Sequence, residues 1–427
     1  MANENSAIDS LLRFVYESYE YVRHGYVSVS TPEHPTTITL NTRPPTTITT
    51  TTTTTMTTPA TEASVVLVGC GCPLRSMGWY HATQILDERV PSCVLKFVVE
   101  PFYMTDLGKQ LDEAGYNRFH EWRKQVEEKF GVKFFANTSD VPPRAADEHR
   151  LGIISSRTSD NPKLFAGCID MGCQTIFLEK PGAPTVTELE KMRDAAKETN
   201  TAVFMGFNKN VSNYLSRTRD FAASASTDQK CDVTFLHNNA YENNEKELAE
   251  CFERNSEGML KNMAIHELAI LVTFYDVKVD TIASVEADKT FSTCKTLKGP
   301  SSGKDFTDFD KLKFKITTKA GVEINVAADR CGGDDSVGIV EISGKELARF
   351  TMPDEDALNN IPNLEKKYPG AMPYFYAQDP DYLTLKQRVA KYCVDGTKPE
   401  AVATIDIAID SLKVAEYLTP ILKEQLL

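Results

Sequence analysis

The chain lacks any apolar run of the roughly 18 residues that a membrane helix needs. Its opening, Met1-Ala-Asn-Glu-Asn-Ser, lacks the basic start and apolar core of a secretory signal. A cytoplasmic protein with no membrane partner is the expectation. A basic surplus is missing too. Lys and Arg number 47 against 60 Asp and Glu, a formal net charge of −13, which argues against nucleic acid and anionic membranes as partners. The 10 cysteines are scattered without a framework. Cys70-Gly71-Cys72 is too tight for the usual zinc spacing and no Cys/His cluster completes a site, so reduced thiols and no metal are expected. Histidine is scarce, with 7 in 427 residues. No internal repeat is present.

What is present divides into three parts. Residues 1–62 carry a threonine tract at 35–59, broken by Pro44-Pro45. That composition buries too little apolar surface to offset its ordering entropy, and it reads as a disordered leader. Residues 63–208 alternate short apolar runs with helical spacing. Strands are expected at 64–68, 93–99, 132–136, 151–155, 174–178 and 202–206, with helices between them. This rhythm predicts parallel βαβ units and an α/β fold with a doubly wound, Rossmann-type sheet. Residues 209–427 lose the rhythm. Helices at 211–222, 259–275, 382–393 and 402–424 accompany alternating segments at 281–286, 311–317, 322–327, 338–342 and 347–350, and Lys319-Ala-Gly321 signals a hairpin. A C-terminal α+β domain built on an open, mainly antiparallel sheet is expected there.

Four motifs carry chemistry. Glu179-Lys180-Pro181 closes the apolar run at 174–178. Ligand crevices of open α/β sheets lie at the carboxyl ends of the strands, and lysine is rarely buried without a partner. Lys180 therefore reads either as a group facing a substrate or as a solvated loop lysine. Gly69 and Gly71 follow the first strand, where a dinucleotide turn needs residues without a Cβ and the next helix aims its amides at a pyrophosphate. Leu74 stands where the third glycine usually falls, and Gly78 comes four positions later. Glu100 ends the second strand 22 residues beyond Gly78, where a carboxylate accepts ribose hydroxyls and repels a 2′-phosphate. With no arginine in 101–104, NAD is expected over NADP. Asn262 and His266 are four apart, on one face of the expected helix. His266 suits acid/base chemistry near neutrality, although a core histidine bonded to a carbonyl is the commoner case. Arg330 lies in the acidic, glycine-rich turn 329–335 and reaches an anionic substrate only if that turn faces the cleft. His237 and Tyr241 fit sheet packing and substrate contact equally well.

Gly69-Cys-Gly71, Gly78-Trp-Tyr-His81, Glu179-Lys180-Pro181, Gly206-Phe-Asn208 and the segment 258–266 occur in the order found in the Gfo/Idh/MocA oxidoreductases. The chain resembles that family over about residues 64–425. The resemblance implies a nicotinamide cofactor, a Rossmann domain, and a C-terminal domain whose open sheet joins the subunits of a homo-oligomer. It implies that Lys180 sits near the nicotinamide and the substrate hydroxyl, and that His266 takes or delivers the proton. It also implies that Glu179, Asn208 and the turn Ser155-Ser156-Arg157 lie close to the cofactor. Two features depart from the pattern: the four-residue insertion in the glycine turn, and Asn262 where members acting on sugars and cyclitols commonly carry aspartate. Asparagine orients a hydroxyl but does not take its proton. The expected function is hydride transfer between NAD and a sugar, cyclitol or related polyhydroxylated compound, with Lys180, His266 and Asn262 as the catalytic group. A non-catalytic nucleotide-binding regulator of the same fold and a glycosidase that recycles its NAD remain open alternatives.

Overall fold

Two sheets organise residues 62–226 and 230–427, which the computed structural model describes. The leader expected at 1–62 lies outside them, residue 62 excepted. The first sheet contains β1 (Ala63–Val68), β2 (Cys93–Val99), β3 (Lys133–Phe135), β4 (His149–Ile154), β5 (Thr175–Leu178) and β6 (Ala202–Met205). Its order is β3-β2-β1-β4-β5-β6, with every pair parallel. The order reverses between β1 and β4, and that reversal opens a crevice at the carboxyl ends of the strands.

Helices α1 (Met77–Leu86), α2 (Asp106–Leu111), α3 (Glu113–Phe130), α4 (Asn161–Asp170) and α5 (Val186–Glu198) belong to the crossovers. Because helices cover both faces, β1 and β5 are buried along their whole length and read as continuous apolar runs.

The chain continues through α6 (Asn213–Ala225), β7 (Asp232–Asn238), α7 (Glu245–Arg254), α8 (Met259–Asn262) and α9 (Ile265–Tyr275). Strands β8 (Ile282–Ala287), β9 (Thr293–Lys298), β10 (Asp305–Thr318), β11 (Glu323–Asp329), β12 (Ser336–Ile342) and β13 (Lys345–Met352) complete the second sheet. Its order is β13-β12-β7-β11-β10-β8, with β9 also on β10, and only β7 and β11 run parallel. The expected hairpin joins β10 to β11. Helix α9 is buried over Ile265–Val272, since it shares one core with the sheet and the last helix.

Four helices end the chain: α10 (Glu355–Lys367), α11 (Pro373–Ala377), α12 (Asp379–Asp395) and α13 (Ile405–Leu426). They return to the first sheet. Leu385, Val389 and Ala390 of α12 share a core with Val65, Leu67, Leu151, Ile153 and Phe177 on one face, and α13 shares the core of the other. Asp379, at the start of α12, clamps α1 by accepting from Tyr80, from Gln84 at 2.7 Å and from Arg89 at 2.8 Å. Residues 61–427 accordingly form one compact unit.

Candidate active site

The site grows from the ends of β1, β4, β5 and β6. After β1, Gly69 and Gly71 adopt φ of +81° and +68°, a region that favours glycine. A Cβ on Gly69 would lie 2.0 Å from Ser156 Oγ, and one on Gly78 would lie 2.1 Å from the Gly69 carbonyl oxygen. Gly78 therefore allows the close helix–strand approach assigned to the third glycine of such turns. The inserted residues are tied down, with Cys72 and Pro73 buried. Ser76 Oγ accepts from Cys72 N at 2.9 Å, and Leu74 O accepts from Met372 N at 3.1 Å.

Glu100 is placed differently from a free ribose ligand. Its carboxylate accepts from the amides of Gly71 (2.6 Å), Phe102 (3.0 Å) and Tyr103 (3.3 Å), and the residue is 3% exposed. Burial raises its pKa while these amides pull it back down. In this conformation Glu100 braces the glycine turn. Ser155 N bonds Val68 O at 2.9 Å, which ties the β4 turn to β1. Arg157 pairs with Asp160 at 2.7 Å on the surface. Asn208 is fully buried, donates to Gln378 Oε1 at 3.1 Å and leaves its Oδ1 without a partner.

Lys180 follows β5, half-buried. Burial lowers its pKa, and the charges of Glu179, Glu257 and Glu267 oppose that. Glu179 lies beneath Gly206, where a Cβ would lie 2.6 Å from Glu179 Oε2. There it meets His81 Nε2 at 2.9 Å, and His81 Nδ1 meets Lys386 Nζ at 2.9 Å.

The structure corrects the long helix expected at 259–275. Ala264 N reaches back five residues to Met259 O at 3.0 Å, a widened turn of the kind often found at functional sites. Helix α8 stops at Asn262 and α9 restarts at Ile265. Asn262 and His266 thus lie on separate helices rather than on one face. Asp308 holds the start of α8, accepting from Met259 N at 3.0 and 3.2 Å. Arg330 in turn holds Asp308 at 2.7 Å and is fully buried. Arg330 is a support under the α8 turn, not a contact for an anionic substrate.

His266 is 6% exposed, and its Nδ1 has no partner. Burial, then the nearby charges of Lys180 and Lys209, push its pKa well below the ordinary value, so the imidazole is neutral. Beneath it Glu267 accepts from Lys209 Nζ at 2.6 Å and pairs with His237 Nδ1 at 3.1 Å. Burial alone would raise the Glu267 pKa, but Lys209 and His237 hold it far below the carboxylate range. Sequence reasoning missed Lys209 and Glu267. The signal lay in their position, each one residue beyond a group already singled out. His237 faces this cluster through its contact with Glu267. A cavity of about 200 Å³ lined by Ser212, Asp354, Asp379 and Asp381 contains none of Lys180, Asn262 or His266.

A parallel sheet whose order reverses, with a glycine turn at the carboxyl end of its first strand, is a Rossmann-type arrangement. Residues 104–207 match the model of the Gfo/Idh/MocA oxidoreductase family, described as having an NAD-binding Rossmann fold. Over those residues the chain is similar to that family. Its fold is also that of solved dehydrogenases. A myo-inositol dehydrogenase from Corynebacterium glutamicum is 17% identical, with a TM-score of 0.58, over 85% of this chain and 96% of its own. A scyllo-inositol dehydrogenase from Lactobacillus casei, solved with NAD(H) and scyllo-inositol, is 14% identical with a TM-score of 0.58 over the same shares. A probable dehydrogenase from Thermotoga maritima is 16% identical, with a TM-score of 0.57 and again those shares. No curated protein sequence matches the chain.

Proposed function

We propose that the protein is an NAD-dependent dehydrogenase or reductase acting on a CH–OH group of a sugar, cyclitol or related polyhydroxylated compound. The observation that carries this reading is the glycine turn at the reversal of the parallel sheet, with Lys180 half-buried after β5 and His266 buried with its Nδ1 unbonded. The chain's own residues fit the cofactor. The glycine turn leaves a cradle that Cβ atoms would fill, and the buried Asn208 Oδ1 is a free acceptor.

The nicotinamide supplies the hydride acceptor or donor at its C4. His266, neutral and with Nδ1 free, takes the hydroxyl proton in the oxidation direction and returns it in the reverse. The Lys180 ammonium donates to the reacting oxygen and stabilises the negative charge that develops there. In a desolvated crevice this is worth more than in water. Asn262 orients the substrate. NAD rather than NADP is supported by the Glu100 carboxylate under the turn. Arg75 and Arg118, whose charges reach Cys72, are the groups that would favour a 2′-phosphate instead. A homo-oligomer formed through the second sheet and a cytoplasmic location complete the proposal.

Calorimetric titration with NADH and NADPH, followed by a polyol and sugar panel with NAD, tests it. Lys180→Ala is expected to lower kcat by about 10³-fold or more while leaving NADH affinity within a few-fold. Wild-type turnover in that variant would remove Lys180 from the chemistry. Sugar release without net NADH would favour the NAD-recycling glycosidase. NADH binding without turnover of any substrate would favour the regulator.

A further inference from the structure

The cavity remote from Lys180 and His266 carries more negative charge than its surroundings neutralise. It measures about 200 Å³ and lies where the turn between β13 and α10 meets the starts of α6 and α12. Asp354, Asp356, Asp379 and Asp381 line it, and Arg89 is the cation among the described lining residues. Arg89 is already committed to Asp379, at 2.5 and 2.8 Å. Asp354 caps α10, accepting from Ala357 N at 2.9 Å, and its other oxygen accepts from Asn213 Nδ2 at 3.1 Å. Both donors are neutral. Lys209, whose charge also reaches Asp381, is held by Glu267 at 2.6 Å.

Asp381 stands apart from the others. It is 7% exposed, and its buried Oδ2 has no hydrogen-bond partner. A carboxylate oxygen left so is costly unless a donor meets it, and burial pushes the Asp381 pKa up to about 7. A positively charged donor would satisfy the oxygen and offset the acidic lining together. Among the described residues no group of three side chains is placed to hold a metal ion. A guanidinium fork prefers both oxygens of a carboxylate, and the Ser212 hydroxyl already bonds this one. A compact ammonium needs a single oxygen. The remaining wall is apolar where Met352, Pro353 and Leu383 face the space, which suits methylene groups. A dry cavity of about 150 Å³ accepts a six-carbon ring, so the ligand is small.

We propose that this cavity is a second binding site, taking a small alkylammonium ion, a primary amine or diamine of about six non-hydrogen atoms. Its ammonium donates to Asp381 Oδ2, and its chain lies against Met352, Pro353 and Leu383. The site shares no residue with the Lys180 and His266 group and does not depend on the reaction assigned to it.

The test is calorimetric titration of the full chain with 1,4-diaminobutane, and with butane-1,4-diol as its uncharged isostere. Saturable binding of the diamine to one site is expected, with the diol at least about 10-fold weaker. Asp381→Asn removes the charge at nearly constant shape and is expected to weaken diamine binding about 10- to 100-fold. Asp356→Asn, at an exposed position, is expected to change it by no more than about 3-fold. Melting temperature checks that each variant is folded. Should Asp381→Asn not fold, Ala357→Met decides instead: it fills the cavity while keeping its charges, and it is expected to abolish saturable binding. Absence of saturable binding to the wild type means that the cavity holds only water, and the proposal falls. Diol binding as tight as that of the diamine, or diamine binding unchanged in a folded Asp381→Asn or Ala357→Met variant, overturns it equally.

Discussion

Two buried clusters flank Lys180, built from the same three residue types, and they hold their protons in opposite ways. In the second domain Lys209 touches Glu267 directly at 2.6 Å, with His237 on the other carboxylate oxygen. The carboxylate is firmly ionised. In the first domain His81 stands between Lys386 and Glu179, 2.9 Å from each. Without direct contact neither charge fully offsets the other's desolvation, so Glu179 is raised to about 7 and Lys386 lowered to about 7. His81, its own pKa pushed far down by burial and then by Lys386, stays neutral and bonds both. A contact ion pair fixes charge, whereas across an imidazole spacer burial brings both outer groups to titrate near 7.

The largest expected effect comes from breaking the contact pair. Glu267→Gln leaves Lys209 buried with its charge unmatched and is expected to destabilise the protein by about 3–5 kcal/mol in denaturant unfolding. The Lys209→Met/Glu267→Met double variant recovers most of that loss, since removing both charges removes the penalty. If the double variant is as unstable as the single, packing rather than charge holds the cluster.

The spacer arrangement predicts a pH effect that the contact pair does not share. Glu179 titrates near 7 instead of its ordinary 4.5, so its contribution to stability is present below 4.5 and lost as pH rises to about 7. Lys386 titrates near 7 instead of 10.5, so its contribution is present above 10.5 and lost as pH falls to about 7. The two losses meet. Urea unfolding between pH 5 and 9 is expected to show a shallow stability minimum near neutrality, about 1–3 kcal/mol deep, which Glu179→Gln/Lys386→Met flattens. A dip that survives in that variant belongs to other groups.

The smallest effect separates spacing from proton sharing. His81→Gln keeps a donor for Glu179 and an acceptor for Lys386 but cannot pass a proton between them. A loss of about 1 kcal/mol with the dip intact is expected. Disappearance of the dip would mean that the imidazole itself, and not the distance it imposes, sets the two pKa values.

Much of the first domain was legible because its strands are buried on both faces and announce themselves as apolar runs. The second domain was harder to read. Strand β9 has exposed and half-buried residues along its length and shows no clear alternation. Helix α7 was overlooked among charges, although Leu248, Cys251 and Phe252 repeat at helical spacing behind an Asn244 cap that accepts from Glu247 N at 2.9 Å. The break between Asn262 and Ile265 depends on Asp308, some 50 residues away in sequence, and no local pattern reports it. At the site, Lys180, Asn262 and His266 could be named from motifs. The inward turn of Glu100 could not, since it depends on which amides a folded loop presents. The commitment of Arg330 to Asp308 was likewise invisible until β10 and β11 were paired.

The return of α12 to the first sheet has a consequence for biosynthesis. β1 ends at residue 68 and the helix that covers it begins at residue 379, so more than 300 residues are synthesised between a strand and its cover. Until then the part of the first sheet's face with Leu151, Ile153 and Phe177 lacks α12, although α1 already packs beside β1 and β2, and the inserted turn at Leu74 has no Met372 to hold it. A nascent chain paused near residue 370 presents that apolar side to chaperones, and one released beyond 400 does not. The half of the protein that is translated first is the half completed last.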